Sequence, residues 1–428
     1  MKNPNRRKAP DYKVAKGNFE LDPQIISLKN NIPVYILKAN DHDYIRLDLI
    51  FETGHWNCSN PLIADFTSLM LIEGCKGYTS SEIAEKLDFY GSFVNFDCGK
   101  HFSNAQLFAL SHLFEESIDL FSQIVKFPVF PDKEFNVLIT NEIQQFSVLR
   151  EKTELLASDA FFPRLFGNLH PYGRVRKAED FQVLDPVQLR TFHRQHYTIS
   201  NCKIILTGKI SENDLLLLDR YFGGHDWTDE FGLNNKTIKA APLIAGRTYI
   251  KKEGAVQASI KIGTITIDKT HPDFIGFSIL NTILGGYFGS RLMTNLREEN
   301  SLTYGIYSSI ISFLHSGIFM ISANVNGEKA EQAIEQIYIE IDKLTNSPVP
   351  SGELKMVKNY LSGEMLRSFD GALMKAEILS GLLNYGLQLD FYNNYIKTLN
   401  MIDAATLKNL AINYFKKENF VEVLAGKV

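Results

Sequence analysis

The chain has 428 residues, 45% of them apolar and 22% charged; at about 100–200 residues per domain that is two to four domains with ample core, and disorder is excluded. Lys and Arg number 45 against 49 Asp and Glu, a net charge of −4, which leaves no electrostatic footprint for nucleic acid. No apolar run approaches the ~20 residues of a membrane span, and the longest candidates, such as Leu215–Leu218, are core-sized.

In chain order, the first ten residues are basic and polar with no apolar stretch behind them, so no secretory signal is expected and the expected compartment is the cytoplasm. Alternation of apolar and polar residues predicts strands over Ile32–Leu37 and Ile45–Phe51. Helical spacing follows at Leu62–Ile72 and Ser80–Tyr90, the second opened by the capping hydroxyls and early acid of Thr79-Ser80-Ser81-Glu82. Strands return at Phe93–Asp97 and Asn104–Leu110. Helices then dominate from His112 to Phe166, interrupted at Pro128 and Pro131. A strand at Lys203–Thr207 and a helix at Glu212–Tyr221 close the first half.

Residues 223–246 lose periodicity and read as a linker. The order then repeats. Strands are expected at Thr248–Lys251 and Ala258–Ile265, helices at Pro272–Leu284 and Ser290–Glu299, and strands at Thr303–Ile311 and Gly317–Val325. Long helices follow at Glu328–Leu344 and Gly352–Leu387, then a helix at Ala404–Phe415 and a last strand at Phe420–Leu424. Matching Gly91 to Gly305 gives an offset of 214 residues (305 − 91). The expected fold is α+β: two tandem homologous domains, residues 1–228 and 247–428 around a 229–246 linker, each a mainly antiparallel sheet covered by helices on one face. Two such domains can enclose a cleft.

Chemistry-bearing residues are sparse. Cys58, Cys75, Cys98 and Cys202 form no C-x-x-C and read as buried or idle thiols in a reducing compartment. No H-E-x-x-H or H-x-x-E-H occurs; His112-Leu113-Phe114-Glu115-Glu116 puts Glu116 where a second His is needed, and His193 and His196, three apart, lack a nearby acid. No G-x-S-x-G is present. Gly285-Gly286-Tyr287-Phe288-Gly289-Ser290-Arg291 lacks the G-K-[ST] of a phosphate loop and reads as a turn that ends one helix and starts the next. Arg297, at a helix end, and Tyr304, at the start of a strand, can share one surface and offer donors to a carbonyl or oxyanion. The same pair also fits a salt-bridged arginine and a half-buried tyrosine.

The segment Leu284–Leu292 with Asn295–Glu299 and Leu302–Ser308 resembles the C-terminal-half motif of the insulinase/pitrilysin-like zinc peptidases, which are inverzincins. The N-terminal half agrees: Asn31–Tyr35 resembles the family's opening strand, Glu73-Gly74-Cys75-Lys76 its E/K-G-T-K turn, and His170-Pro171-Tyr172-Gly173-Arg174 its HPYGR-like string. The resemblance runs from about Ile25 to the end and implies tandem α+β domains in a clamshell. In active members an H-x-x-E-H helix supplies two zinc ligands and the base, and a later Glu the third ligand. Aligned to that helix, Asp65 replaces the first His, Ser68 the Glu and Leu69 the second His; the third-ligand position is Glu142.

Leu69 binds no metal, and Ser68 is no general base near neutral pH. Two carboxylates are too few for a catalytic zinc, so none is expected in this chain. The Arg297/Tyr304 pair survives at the family spacing, where it is thought to hold the substrate carbonyl. Some bacterial members divide these parts between two chains. The resemblance thus implies a non-catalytic, substrate-binding subunit of a two-chain zinc metalloendopeptidase acting on short or unfolded peptides. A homologous H-x-x-E-H-bearing partner would hold the zinc, and this chain would be inactive alone. The rival expectation is a catalytically inert peptide-binding or scaffold protein, with a homodimer as one of its forms.

Overall fold

The computed structural model describes residues 19, 21–39, 42–227 and 238–427. The first half contains β1 (Gln24–Ser27), β2 (Pro33–Lys38), β3 (Tyr44–Phe51), α1 (Leu62–Met70), the short hairpin β4 (Gly74–Cys75) and β5 (Tyr78–Thr79), α2 (Ser80–Tyr90), β6 (Phe93–Cys98), β7 (Ser103–Leu110), α3 (Phe114–Lys126), α4 (Asp132–Arg150), α5 (Thr153–Phe166), α6 (Ala178–Gln182), α7 (Pro186–His196), β8 (Cys202–Gly208) and α8 (Glu212–Phe222). The second half contains β9 (Gly246–Lys251), β10 (Gln257–Thr266), α9 (Phe274–Asn281), β11 (Thr303–Ser312), β12 (Gly317–Asn326), α10 (Ala330–Asn346), α11 (Ser351–Ser368), α12 (Ala372–Tyr385), α13 (Phe391–Met401), α14 (Ala404–Tyr414) and β13 (Val421–Gly426). Wide π-helical turns occupy Thr282–Gly286 and Met293–Glu299.

The strand order is β1-β2-β8-β3-β7-β6 in the first sheet and β11-β12-β10-β13-β9 in the second. The repeat is topological. The parallel pair β2/β8 answers β13/β9, and the antiparallel run β8-β3-β7-β6 answers β13-β10-β12-β11. β1 is an addition to the first sheet's edge. β6 and β11 are therefore equivalent edge strands.

One face of each sheet packs on its own helices. Leu47 and Ile204 meet Phe66, Ile118, Phe121 and Leu218 in the first half; Ile260 and Phe319 meet Phe277, Ile337 and Ala411 in the second. The opposite faces are covered by exchange, which adds to the one-face covering read from the sequence. Ala157, Phe161 and Leu165, a stripe at i, i+4, i+8 on α5, pack on Ile318, Val421, Val423 and Ala425 of the second sheet. Ala376, Leu379 and Leu382 of α12 pack on Leu37, Ile50 and Ile205 of the first. This double cover explains why seven of the eight residues of β3 are buried, whereas a half-solvated strand alternates.

The expected strands and most helices are present within a few residues. The exception is the continuous helix over Gly352–Leu387, which the structure breaks into α11 and α12. The chain turns at Gly371 with φ 79°, a conformation an L side chain adopts only under strain. Of the expected linker, 229–237 lie outside the described residues. The following stretch runs extended beside the end of α5, with Ala241 N–H donating to the Phe166 carbonyl and Ile244 N–H to that of Arg164.

Candidate functional site

Arg297 and Tyr304 line one open cavity of about 580 Å³, with Gln257, Asn324 and Asn326 among its walls. Two local irregularities put them there. Arg297 sits on the wide turn Met293–Glu299, where the Asn300 N–H reaches back five residues to the Asn295 carbonyl. That turn is pinned from below: Asn295 donates to the Glu340 carboxylate at 2.6 Å, and Asn300 donates to the Asn295 side chain at 2.8 Å.

Tyr304 is placed by a β-bulge. Thr303 pairs with Val325 and Ile306 with Ala323, so Tyr304 and Gly305 together face the single residue Asn324. The Thr303 hydroxyl donates to the Asn324 carbonyl at 2.6 Å and accepts the Gly305 N–H at 3.1 Å, which fixes the bulge. The Tyr304 side chain is left 91% exposed on an edge strand. Arg297 makes no ion pair with a described residue; its guanidinium lies 4.6 Å from the centre of the Phe288 ring. The structure therefore departs from the salt-bridged, half-buried alternative: both donors are available to a ligand.

An adjoining cavity of about 480 Å³ shares Tyr304, Gln257 and Asn324 and continues over the second sheet between α5 and β11. Its floor is polar. Thr153 at the start of α5 bonds the Ser259 hydroxyl at 2.8 Å, Ser259 donates to Asn324 at 2.6 Å, and Lys261 reaches Ser322 at 3.3 Å. Lys261 is only 6% exposed, and burial lowers its pKa, offset in part by Glu154. It has no ion pair with a described carboxylate. Sequence reading missed this residue, since a lone lysine in a strand gives no signal until the register puts it beside serines.

The positions aligned with the family's zinc centre tell the opposite story. The Ser68 hydroxyl is buried and bonded to the Tyr197 hydroxyl at 2.9 Å. Tyr197 is in turn packed on Phe51, and its carbonyl accepts the Trp227 indole N–H. Leu69 is 39% exposed. Asp65 is divided between two partners, His55 Nε2 at 2.5 Å and Arg176 at 2.6 Å. Glu142 is partly exposed and joins no cluster of three potential ligands among the described residues. These residues do not fit a hydrolytic zinc: one position is a hydrocarbon, and the position of the base is locked in the core.

The other histidines read from the sequence are structural. His112 and Glu116 lie on the surface. His193 bonds the Val125 carbonyl at 2.8 Å, and burial pulls its pKa down to about 4, as it does for His196. The His170–Arg174 string forms a joint between the halves. Tyr172 stacks on Phe313 at 4.2 Å and bonds His101, while its hydroxyl accepts the His315 N–H. Arg174 holds the Cys58 and Ser59 carbonyls at 2.7 and 2.8 Å. Burial in this joint pulls His101 down to about 3.

The fold is α+β, two sheets of matching strand order with helices packed on them, and Asp65, Ser68 and Leu69 do not form a zinc site. Residues 184–361 match the family model described as the Peptidase M16 inactive domain, a stretch that includes both Arg297 and Tyr304. A Bacillus subtilis protein described as an uncharacterized zinc protease is 22% identical over 362 residues, 84% of this chain and 86% of its own length. A Rickettsia felis protein with the same description is 21% identical over 372 residues, 85% of this chain and 86% of its own. Among solved structures, a peptidase M16 inactive domain from Pseudomonas fluorescens superposes with a TM-score of 0.87 at 26% identity, over 95% of this chain and 99% of that one. A protease from Helicobacter pylori shares the fold, with a TM-score of 0.80 at 18% identity over 94% and 99% of the two chains. The family that the motifs resemble is thus the one the comparisons point to: the matched family model, the zinc protease-like relatives and the superposed inactive domain are all of the M16, insulinase type.

Proposed function

We propose that this chain is the non-catalytic, substrate-binding subunit of a two-chain zinc metalloendopeptidase. A homologous partner carrying H-x-x-E-H would supply the zinc and the general base. Residues 247–428 of this chain would supply Arg297 and Tyr304 to the peptide, with β11 offering a free strand edge for main-chain pairing. The observation that carries the reading is the contrast at the two candidate sites: Arg297 and Tyr304 line one open cavity with no ion pair to a described residue, while Ser68 and Asp65 are bonded to Tyr197, His55 and Arg176 and Leu69 offers no ligand atom. Donors kept free of internal partners are what an oxyanion or a strained carbonyl needs, and a missing donor costs about 10²–10³ in kcat in comparable sites.

The experiment is reconstitution. The purified chain alone should leave a quenched peptide uncut, and addition of an H-x-x-E-H-bearing homologue from the same genome should give metal-dependent cleavage exceeding that of the homologue alone. Tight binding of unfolded peptides with no gain in cleavage on mixing would replace this reading with that of an inert peptide-binding or scaffold protein.

A further inference from the structure

His55, Asp65 and Cys98 come from three separate elements and converge. The donor atoms of all three lie within 4.8 Å of one another. His55 opens the short helical turn His55–Asn57, Asp65 is in the first turn of α1, and Cys98 ends the edge strand β6. The convergence is built by the backbone. The His55 N–H donates to the Gly99 carbonyl at 3.1 Å and the Trp56 N–H to that of Lys100 at 2.9 Å, which lays the turn along the end of β6. Gly54 permits this approach, since a Cβ there would stand 2.3 Å from the Gly99 oxygen. The side chains are sheltered, with His55 and Asp65 only 16% and 18% exposed.

We propose that His55 Nε2, one Asp65 oxygen and Cys98 Sγ form a binding site for a borderline-soft divalent cation, Zn²⁺ foremost, with a fourth position left to water. One imidazole, one carboxylate and one thiolate are a donor set that zinc takes and that calcium and magnesium do not. Ligand lengths of about 2.0–2.3 Å around a tetrahedral ion require the three atoms to sit about 3–4 Å apart. An entering ion would widen the 2.5 Å His55–Asp65 contact and draw Cys98 Sγ in from within 4.8 Å. Arg176 holds the other Asp65 oxygen at 2.6 Å, which fixes the carboxylate's orientation as an outer-shell partner does in built metal sites.

Two of the three ligands lie outside the helix that the family's hydrolytic zinc uses, and Ser68, at the position of that site's base, is turned into the core. The ion would clip the turn at His55, α1 and the edge strand β6 together. The inference is independent of the proposed function, because it concerns the chain without a partner or a peptide.

The test uses the purified full chain, stripped with chelator and then dialysed against Zn²⁺ or Co²⁺. One cation per chain is expected, with a near-ultraviolet sulfur-to-cobalt charge-transfer band in the Co²⁺ form and a Zn²⁺-dependent rise in Tm. Cys98→Ser should remove the charge-transfer band, and His55→Gln or Asp65→Asn should weaken binding at least about tenfold. Cys58→Ser, whose thiol is turned to the Gly54 and His55 carbonyls, should leave both readouts intact. Absence of the charge-transfer band in the unaltered chain overturns the site, as does a band that survives Cys98→Ser or disappears with Cys58→Ser.

Discussion

The two halves share one strand order yet treat their candidate sites in opposite ways. In the first half the side chains at the zinc positions have found partners inside the protein: Ser68 with Tyr197, Asp65 with His55 and Arg176. In the second half Arg297 and Tyr304 make no ion pair with a described residue, Arg297 resting on the Phe288 ring, and a widened helical turn and a bulge place both on one open cavity. A polar side chain released from chemistry drifts toward internal satisfaction, because an unpaired polar group is costly once water is excluded. Donors left without a hydrogen bond or ion pair to a described residue while their neighbours are pinned are open to a ligand, which is the basis of the proposed role.

The comparison can be broken first where the halves are alike, at the exchanged helices. Phe161→Ala in α5 and Leu379→Ala in α12, both fully buried, should each destabilise the whole chain, by about 3–5 and 2–5 kcal/mol respectively. A denaturant titration that showed one half melting alone in either variant would contradict the reciprocal cover. Next comes the attempt to make the halves differ less. Ser68→Glu, the central change in rebuilding H-x-x-E-H, drives a carboxylate into the space beside Tyr197 and should cost about 2–4 kcal/mol. A Tm equal to that of the unaltered chain would mean that the position is not closed.

Arg297→Ala should then lower kcat of the reconstituted enzyme about a hundredfold, which is about 2.7 kcal/mol, with KM and stability little changed. An effect confined to KM would make the residue a binding contact with no preference for the transition state.

The last effect is on pH. His101, His193 and His196 are held neutral by burial, with pKa values near 3, 4 and 4 against an ordinary value of 6.5. Below pH 6.5 the unfolded chain takes up protons that the folded chain refuses, so stability is full above that pH and declines progressively towards pH 4. His193→Gln should flatten part of the slope of Tm against pH between 6.5 and 4; an unchanged slope would place the acid sensitivity elsewhere.

Much of this was legible in the residues. The Thr79 cap with Glu82 marked the start of α2, and the structure has both capping bonds. The repeat of order was readable because alternation fixes strands and helical spacing fixes helices. The helix α7 was missed although its signal stood in the sequence: Asp185 caps it, Pro186 begins it and Gln188 completes the capping box. The break at Gly371 was likewise spelled by Asp370-Gly371, and the long apolar spacing overrode it.

The Arg297/Tyr304 pair was legible as a motif, but its presentation was not, since the bulge arises from pairing with Asn324 across the sheet. The His55, Asp65 and Cys98 convergence was illegible for the same reason. It depends on where the end of β6 passes the turn at His55, a long-range register that no local pattern encodes.

The exchange of α5 and α12 has a consequence for how the molecule is made. The first sheet's strands are complete once β8 has left the ribosome, yet one face of that sheet remains bare until α12 follows, more than 150 residues later (372 − 208). During that interval Leu37, Ile50 and Ile205 are open to water. The nascent chain therefore passes through a stage that is adhesive by construction, and its yield should respond to translation speed and to chaperones that shield apolar strands.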